Sequence, residues 1–323
     1  MNLSTSPSVI KAHDISRFQF RDTPFVKLMN KRIYNVLFIA SQYDMFILED
    51  DGRVDEQIFN EYTSLNLRYP PRFTQVSTAG QAMEELRANR YELIICMPNM
   101  DNHEIFAQAK VIKHKFPYIP IVLLTPFSKS VTRVLEREDV SGMDYVFSWL
   151  GNADLLLAII KLIEDSMNVE SDVKTVGVQT IMLVEDSVRF YSSALPLLYK
   201  YVLNESKEFS KEALNDHLRM MRMRGRPKIL LARNYEEAVS LYKKYGDNML
   251  GVISDISFSR EGKKDKLAGR VLGEWIRKKN KYIPIIYASS ESENREYAAL
   301  VDAKFIDKNS KTFPQDFHKA VKD

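Results

Sequence analysis

Met249-Leu-Gly-Val-Ile-Ser-Asp-Ile-Ser-Phe258 is an apolar run that closes on a single acid, Asp255. A short continuous apolar run bounded by turn chemistry reads as a buried strand of a parallel sheet. An acid at its end stands at the carboxyl edge, where open α/β sheets hold their ligands. Working outward, three further strands end in polar groups. Thr180-Ile-Met-Leu-Val184 is followed by Glu185 and Asp186, Ile283-Pro-Ile-Ile-Tyr-Ala-Ser289 ends in Ser289, and Ala303-Lys-Phe-Ile-Asp-Lys308 ends in Lys308. Three carboxylates, a hydroxyl and an ammonium gathered at strand ends suit a hard cation and a phosphoryl group. Asp255 is the expected acceptor of that group. The bland alternative is an ordinary ion cluster on a sheet edge.

The rest of the chain repeats this grammar. Strands are expected at 34–41, 73–77, 91–97, 119–125 and 144–149, with helices near 55–69, 80–89, 103–115, 130–138 and 153–167 between and after them. Residues 168–178 read as a polar connector. The pattern then restarts, with strands near 180–184, 227–232, 250–254, 283–289 and 305–308. Alternating strands and helices argue doubly wound parallel sheets. Tyr118-Ile-Pro-Ile121 and Tyr282-Ile-Pro-Ile285 open the two fourth strands, so the halves read as a duplication. The expected domains are an arm at 1–33, a first unit at 34–170 and a second at 178–323. A helical insertion is expected in the second unit at about 204–225. Phe18, Phe20 and Phe25 suggest that the arm packs onto something.

A chain of 323 residues, 45% hydrophobic and 28% charged, can bury two cores. Its net charge of +3 hides an asymmetry: residues 1–170 carry 18 Lys and Arg against 22 Asp and Glu, residues 171–323 carry 28 against 21. The lone cysteine, Cys96, excludes an internal disulfide framework and falls in an apolar strand, which predicts a buried thiol. No signal-peptide core occurs in residues 1–30 and no apolar run reaches membrane-spanning length, so a cytoplasmic protein is expected. His13, His103, His114, His217 and His318 pair with no nucleophile, and no Gly-rich phosphate loop follows a strand, so a free-standing enzyme is not expected. Arg219, Arg222, Arg224, Arg226 and Lys228 form a basic stretch that suits an acidic partner or nucleic acid, or else a solvated helix end.

In the order Glu185–Asp186, Asp255, Ser289, Lys308, the second unit resembles a response-regulator receiver domain. The resemblance implies two flavodoxin-like (CheY-like) five-stranded domains in tandem. It implies that Asp255 is phosphorylated and that Mg2+ is held by Glu185, Asp186, Asp255 and the backbone carbonyl of Ser257. It further implies that Ser289 and Lys308 meet the phosphoryl oxygens and that Phe305 is a switch aromatic. The chain departs from the family in its long basic loop, Ile256–Lys266, and in carrying Asn309 where a proline is usual. The first unit resembles the same family without its chemistry. Ala40 and Ser41 stand at the acidic pair, Ile94 or Met97 at the acceptor and Ser148 at the lysine, while Thr125 is retained. It reads as a pseudo-receiver. The whole chain, through Arg21-Asp-Thr-Pro-Phe25 and Tyr43-Asp-Met-Phe-Ile-Leu-Glu-Asp-Asp-Gly52, also resembles the amino-terminal regulatory portion of bacterial phosphoenolpyruvate synthase-like proteins.

The leading expectation is a two-component or phosphorelay module phosphorylated by a histidine kinase or small phosphodonor. Its change of state would be read by a protein partner or by an enzyme domain following Asp323. The alternative is an interaction scaffold that uses no phosphate and regulates an attached or partner enzyme. A nucleic-acid partner ranks last, because no reading module is visible. Homodimerisation is left open.

Overall fold

The computed structural model describes residues 24–49, 53–98, 104–126, 139–149, 151, 153–211, 219 and 222–322. The first unit is built from β1 (Asn35–Ile39), α1 (Gln42–Leu48), α2 (Val54–Ser64), β2 (Arg72–Val76), α3 (Ala79–Ala88), β3 (Leu93–Cys96), α4 (Glu104–Lys115), β4 (Ile121–Pro126) and β5 (Tyr145–Trp149). Helix α5 (Asp154–Val176) leads to the second unit. That unit contains β6 (Thr180–Val184), α6 (Val188–Ser210), β7 (Lys228–Ala232), α7 (Tyr235–Tyr245), β8 (Met249–Ser254), β9 (Phe258–Arg260), β10 (Lys263–Asp265), α8 (Ala268–Lys279), β11 (Ile285–Ser289), α9 (Arg295–Leu300), β12 (Lys304–Asp307) and α10 (Phe313–Lys322).

The two large sheets have the orders β2-β1-β3-β4-β5 and β12-β11-β8-β6-β7, and every pairing within them is parallel. Counted within each unit, both run 2-1-3-4-5, the doubly wound flavodoxin-like order. Strands buried on both faces are largely apolar, and β6, β7 and β11 are buried at every residue. Cys96 lies in this interior, its thiol directed at the Val122 carbonyl and its pKa pushed up to about 12 by burial. No described helix is long and apolar enough to cross a membrane.

The sequence reading needs correction around α5. The expected connector at 168–178 is the last part of this helix, which continues to Val176 and stops where Gly177 adopts φ 72°. Its polar residues misled because they are buried: Glu164, Asp165, Asn168 and Asp172 all face protein. Asp165 accepts from Arg226 Nη2 at 2.7 Å and Nη1 at 2.9 Å, from Tyr199 Oη at 2.9 Å and from the Ile229 N–H at 3.0 Å. Asp172 meets Lys228 Nζ at 3.1 Å and accepts from the Met29 N–H. Asn168 and Glu164 accept from the N–H groups of Lys31 and Ile33. Thus Arg226 and Lys228, read as candidates for a partner surface, are internal counter-ions of α5. The end of the expected arm is a 3-10 turn, Pro24–Lys27, against the same helix. Phe18, Phe20, His103 and the expected helix at 130–138 lie outside the described residues, as do residues 212–218, 220 and 221 of the expected insertion.

The two units share a core: one apolar cluster runs from Val36 and Phe38 through Leu156 and Ile160 to Leu195, Leu198 and Ile229. Helix α6 covers β5, an edge strand of the first sheet. The Ser148 N–H donates to Ser192 Oγ at 2.9 Å, and the rings of Phe147 and Tyr191 meet edge-on at 5.4 Å. An exposed edge strand invites stray pairing, and this cover removes that hazard.

Removing one partner of a buried ion pair leaves an uncompensated charge, at about 3–5 kcal/mol. Asp165→Ala is therefore expected to lower the unfolding free energy by about that amount in urea titration. A loss under about 1 kcal/mol would show that Arg226 is not held as described.

Candidate functional site

The carboxyl edge of the second sheet is fixed by ladder bonds that continue past the strands. The Glu185 N–H donates to Ala232 O at 2.9 Å, Asp255 N–H to Val184 O at 2.9 Å and Lys308 N–H to Ser289 O at 2.9 Å. These bonds hold the four backbones in register, so their side chains leave one edge together. Carboxylate oxygens of Glu185, Asp186 and Asp255 lie within 4.8 Å of one another.

Lys308 stands among them. Its Nζ is 2.6 Å from Glu185 Oε2 and 3.0 Å from Asp255 Oδ2, and it sits 4.0 Å from the centre of the Phe190 ring. Glu185 is fully buried, and its other oxygen accepts from the Ser187 N–H at 3.0 Å. Burial raises its pKa to about 7, helped by the Asp255 charge and opposed by Lys308. Asp255 Oδ1 accepts from the Ile256 N–H at 2.7 Å. Asp186 is held separately: Lys264 Nζ lies 2.8 Å from both its oxygens.

Lys264 belongs to a feature the sequence reading treated as an irregular basic loop. Residues 258–265 are a hairpin, β9 against β10, with Glu261 at φ 53° and Gly262 at φ 72° in its two-residue turn. Positive φ at both central positions matches the twist of a tight hairpin. The hairpin carries Lys264 back over the acidic pair. Gly269, in the first turn of α8, also went unrecognised. A Cβ there would lie 2.2 Å from the Asp255 carbonyl oxygen, so only glycine lets α8 approach the acceptor loop.

The remaining expected site residues are placed differently. Ser289 is buried at its strand end, but its Oγ accepts from Asn294 Nδ2 at 2.8 Å and the Glu291 N–H at 3.2 Å and makes no hydrogen bond to Asp255. Phe305 is partly buried on β12, with the Arg295 guanidinium 4.9 Å from its ring centre. Ser257 lies between β8 and β9. Oxygens around one magnesium ion are at most about 4.2 Å apart. The three carboxylates therefore fit such an ion after a small closure, provided that Asp186 leaves Lys264.

Register resolves the equivalent positions of the first unit. Ile39 pairs with Cys96 as Val184 pairs with Ser254, so Ala40 and Met97 stand at the places of Glu185 and Asp255. This selects Met97 over Ile94. Thr125 pairs with Ser148 as Ser289 pairs with Asp307, so Trp149, not Ser148, stands at the place of Lys308. Ser41 caps α1 by accepting from the Asp44 N–H.

No family model matches the chain, and no curated protein does. Among solved structures it is similar to one described as a two-component system response regulator/GGDEF domain protein. That match covers 89% of this chain and 96% of the other, with 12% identity and a TM-score of 0.34. A second structure of like description matches over 90% and 96%, with 12% identity and a TM-score of 0.34. A protein from Pyrococcus horikoshii OT3 matches over 90% and 63%, with 14% identity and a TM-score of 0.30. At such scores the likeness carries no argument, and the fold class rests on the sheet order above. The phosphoenolpyruvate synthase likeness has no counterpart in these three.

Two substitutions test the geometry. An exposed ion pair contributes up to about 1 kcal/mol, so Lys264→Ala is expected to tighten Mg2+ binding about two- to fivefold in calorimetric titration. Unchanged or weaker binding would contradict a role for Lys264 as competitor. Gly269→Ala is expected to displace the Asp255 loop and weaken Mg2+ binding while leaving the far-ultraviolet circular dichroism intact. Binding equal to wild type would contradict the close approach of α8.

Proposed function

We propose that the chain is a receiver-type signalling module in which Asp255 accepts a phosphoryl group. The observation that carries this reading is the convergence of Glu185, Asp186 and Asp255, with the Lys308 ammonium 3.0 Å from the acceptor. Asp255 Oδ2 attacks the phosphorus of a histidine kinase or small phosphodonor. The bond from phosphorus to the donor breaks, and its electron pair leaves with the donor. Phosphoryl transfer needs positioning and charge neutralisation more than covalent help from the protein. Lys308 supplies a fixed positive charge beside the acceptor. Glu185, Asp186, Asp255 and the Ser257 carbonyl would hold Mg2+, which when bound neutralises charge on the phosphoryl oxygens. Ser289 would leave Asn294 to donate to the phosphoryl group, and Phe305 would follow it inward. The first unit, with Ala40, Met97 and Trp149 at the equivalent positions, has no chemistry for this step and serves as an interaction domain. Partners of this reading are the phosphodonor and a protein or enzyme domain that senses the state of Asp255.

A second reading, a scaffold independent of phosphate, is favoured by one observation: Lys264 and Lys308 already pair with all three acids. The two readings separate in one experiment. After incubation with acetyl phosphate and Mg2+, intact mass spectrometry is expected to find one added phosphate on the wild-type chain and none on Asp255→Ala. An unlabelled wild type, or equal labelling of both, would favour the scaffold. Binding of beryllofluoride is expected to be lost in Asp186→Asn.

A further inference from the structure

Between the two units lies a cleft of about 60 Å³, remote from the acidic site and lined by Met29, Arg32, Leu67, Arg68, Tyr69 and Arg224 above Glu164, Lys161 and Arg226. Lys161 meets Glu164 at 2.8 Å and Arg226 meets Asp165 at 2.7 Å. Arg32, Arg68 and Arg224 add three guanidiniums, and the lining contains no further acid. Arg32 and Arg68 join no ion pair among the described residues. Burial first, and then the charge of Arg32, lower the pKa of Arg224.

The backbone around the cleft is unusual. Met29 has φ 52° and Tyr69 φ 61°, conformations that bulky residues rarely adopt. Asn66 has φ 54°, but it only ends α2: the Leu67 N–H reaches Tyr62 O and the Asn66 N–H reaches Thr63 O. Met29 is fixed by its N–H bond to Asp172, and the ring of Tyr69 rests edge-on against Tyr34 at 6.5 Å. Segments from three parts of the chain are thus held so that their arginines surround one small space.

We propose that this cleft binds a phosphate group, either inorganic phosphate or the phosphoryl end of a small phosphate monoester. On a comparable measure one water needs about 10–15 Å³. The cleft therefore holds about four to six waters, roughly the five heavy atoms of a tetrahedral oxyanion and less than a nucleobase. Planar guanidinium forks match phosphate oxygens two at a time, which a carboxylate partner would satisfy only once. A bound dianion relieves the repulsion between Arg32 and Arg224 and fastens the first unit's 66–69 loop to the 223–226 turn of the second.

The test is calorimetric titration of the full chain with inorganic phosphate, without Mg2+. Saturable binding is expected, weakened about tenfold or more by Arg68→Gln and by Arg224→Gln, as loss of a charged hydrogen bond requires. Asp255→Asn is expected to leave it unchanged, so failure here is distinct from failure at the acidic site. Arg68 is exposed, and its replacement leaves the folded core untouched. Absence of saturable binding to wild type, or binding by both arginine variants as tight as wild type, would overturn the proposal. A parallel titration with glycerol phosphate separates the two sources. Binding at least as tight as phosphate assigns a monoester, and binding of inorganic phosphate alone assigns the free ion.

Discussion

The ammonium of Lys308 lies between the carboxylates of Glu185 and Asp255, and the packing of these buried side chains together depends on it. Those three residues follow β12, β6 and β8, so one charge joins the ends of three strands. A charge this deeply buried persists only when paired: burial raises the pKa of Glu185, and Lys308 opposes that rise. Lys264 does the same for Asp186 from a more exposed position. With Glu185 ionised, three acids facing two ammoniums leave one negative charge. Replacing the Lys264 ammonium by a divalent ion brings the local sum to zero. The hairpin therefore sits where it can compete with a cation, and the core lysine sits where it cannot be displaced without loss of the strand-end geometry.

The same helix serves the site and the rest of the molecule. α6 begins at Ser187, whose N–H holds Glu185, and carries Phe190 over Lys308. The next two residues, Tyr191 and Ser192, face the first unit through Phe147 and the Ser148 N–H. Any displacement of the acidic loop thus bears directly on the joint between units. That joint is not a soft linker. α5 threads it as a continuous helix whose acids are each answered by a cation or an N–H group from flanking segments. Two receiver-like folds joined in this way form one body with a shared core, and the first unit need not retain any chemistry to be structurally required.

Much of this was legible in the sequence because parallel strands announce themselves twice, by apolar runs and by the polar residue that ends each run. Asp255 and Lys308 were found that way, and the repeated Tyr-Ile-Pro-Ile placed the two fourth strands in register. The misreadings share one cause. Polarity was taken to mean solvent, and around α5 it does not. Asn168 and Asp172 looked like connector because their partners, Lys31, Met29 and Lys228, are far away in the chain. Arg226 looked like a surface cation because nothing local reveals Asp165. Lys264 was missed for a related reason: Glu261-Gly262 is a hairpin turn signal, but the short polar runs Phe-Ser-Arg260 and Lys-Lys-Asp265 do not resemble strands. Gly269 could have been suspected from its place at the start of a helix following the acceptor loop.

The proposed chemistry at Asp255 needs one divalent ion among the acids of the second unit. Anomalous diffraction from crystals grown with Mn2+ measures this directly. A single strong peak bonded to Glu185, Asp186 and Asp255 is expected, with the Lys264 ammonium withdrawn from Asp186 and Lys308 unmoved. Crystals that show no peak at this edge, with Lys264 still closed on Asp186 at high Mn2+, would contradict it.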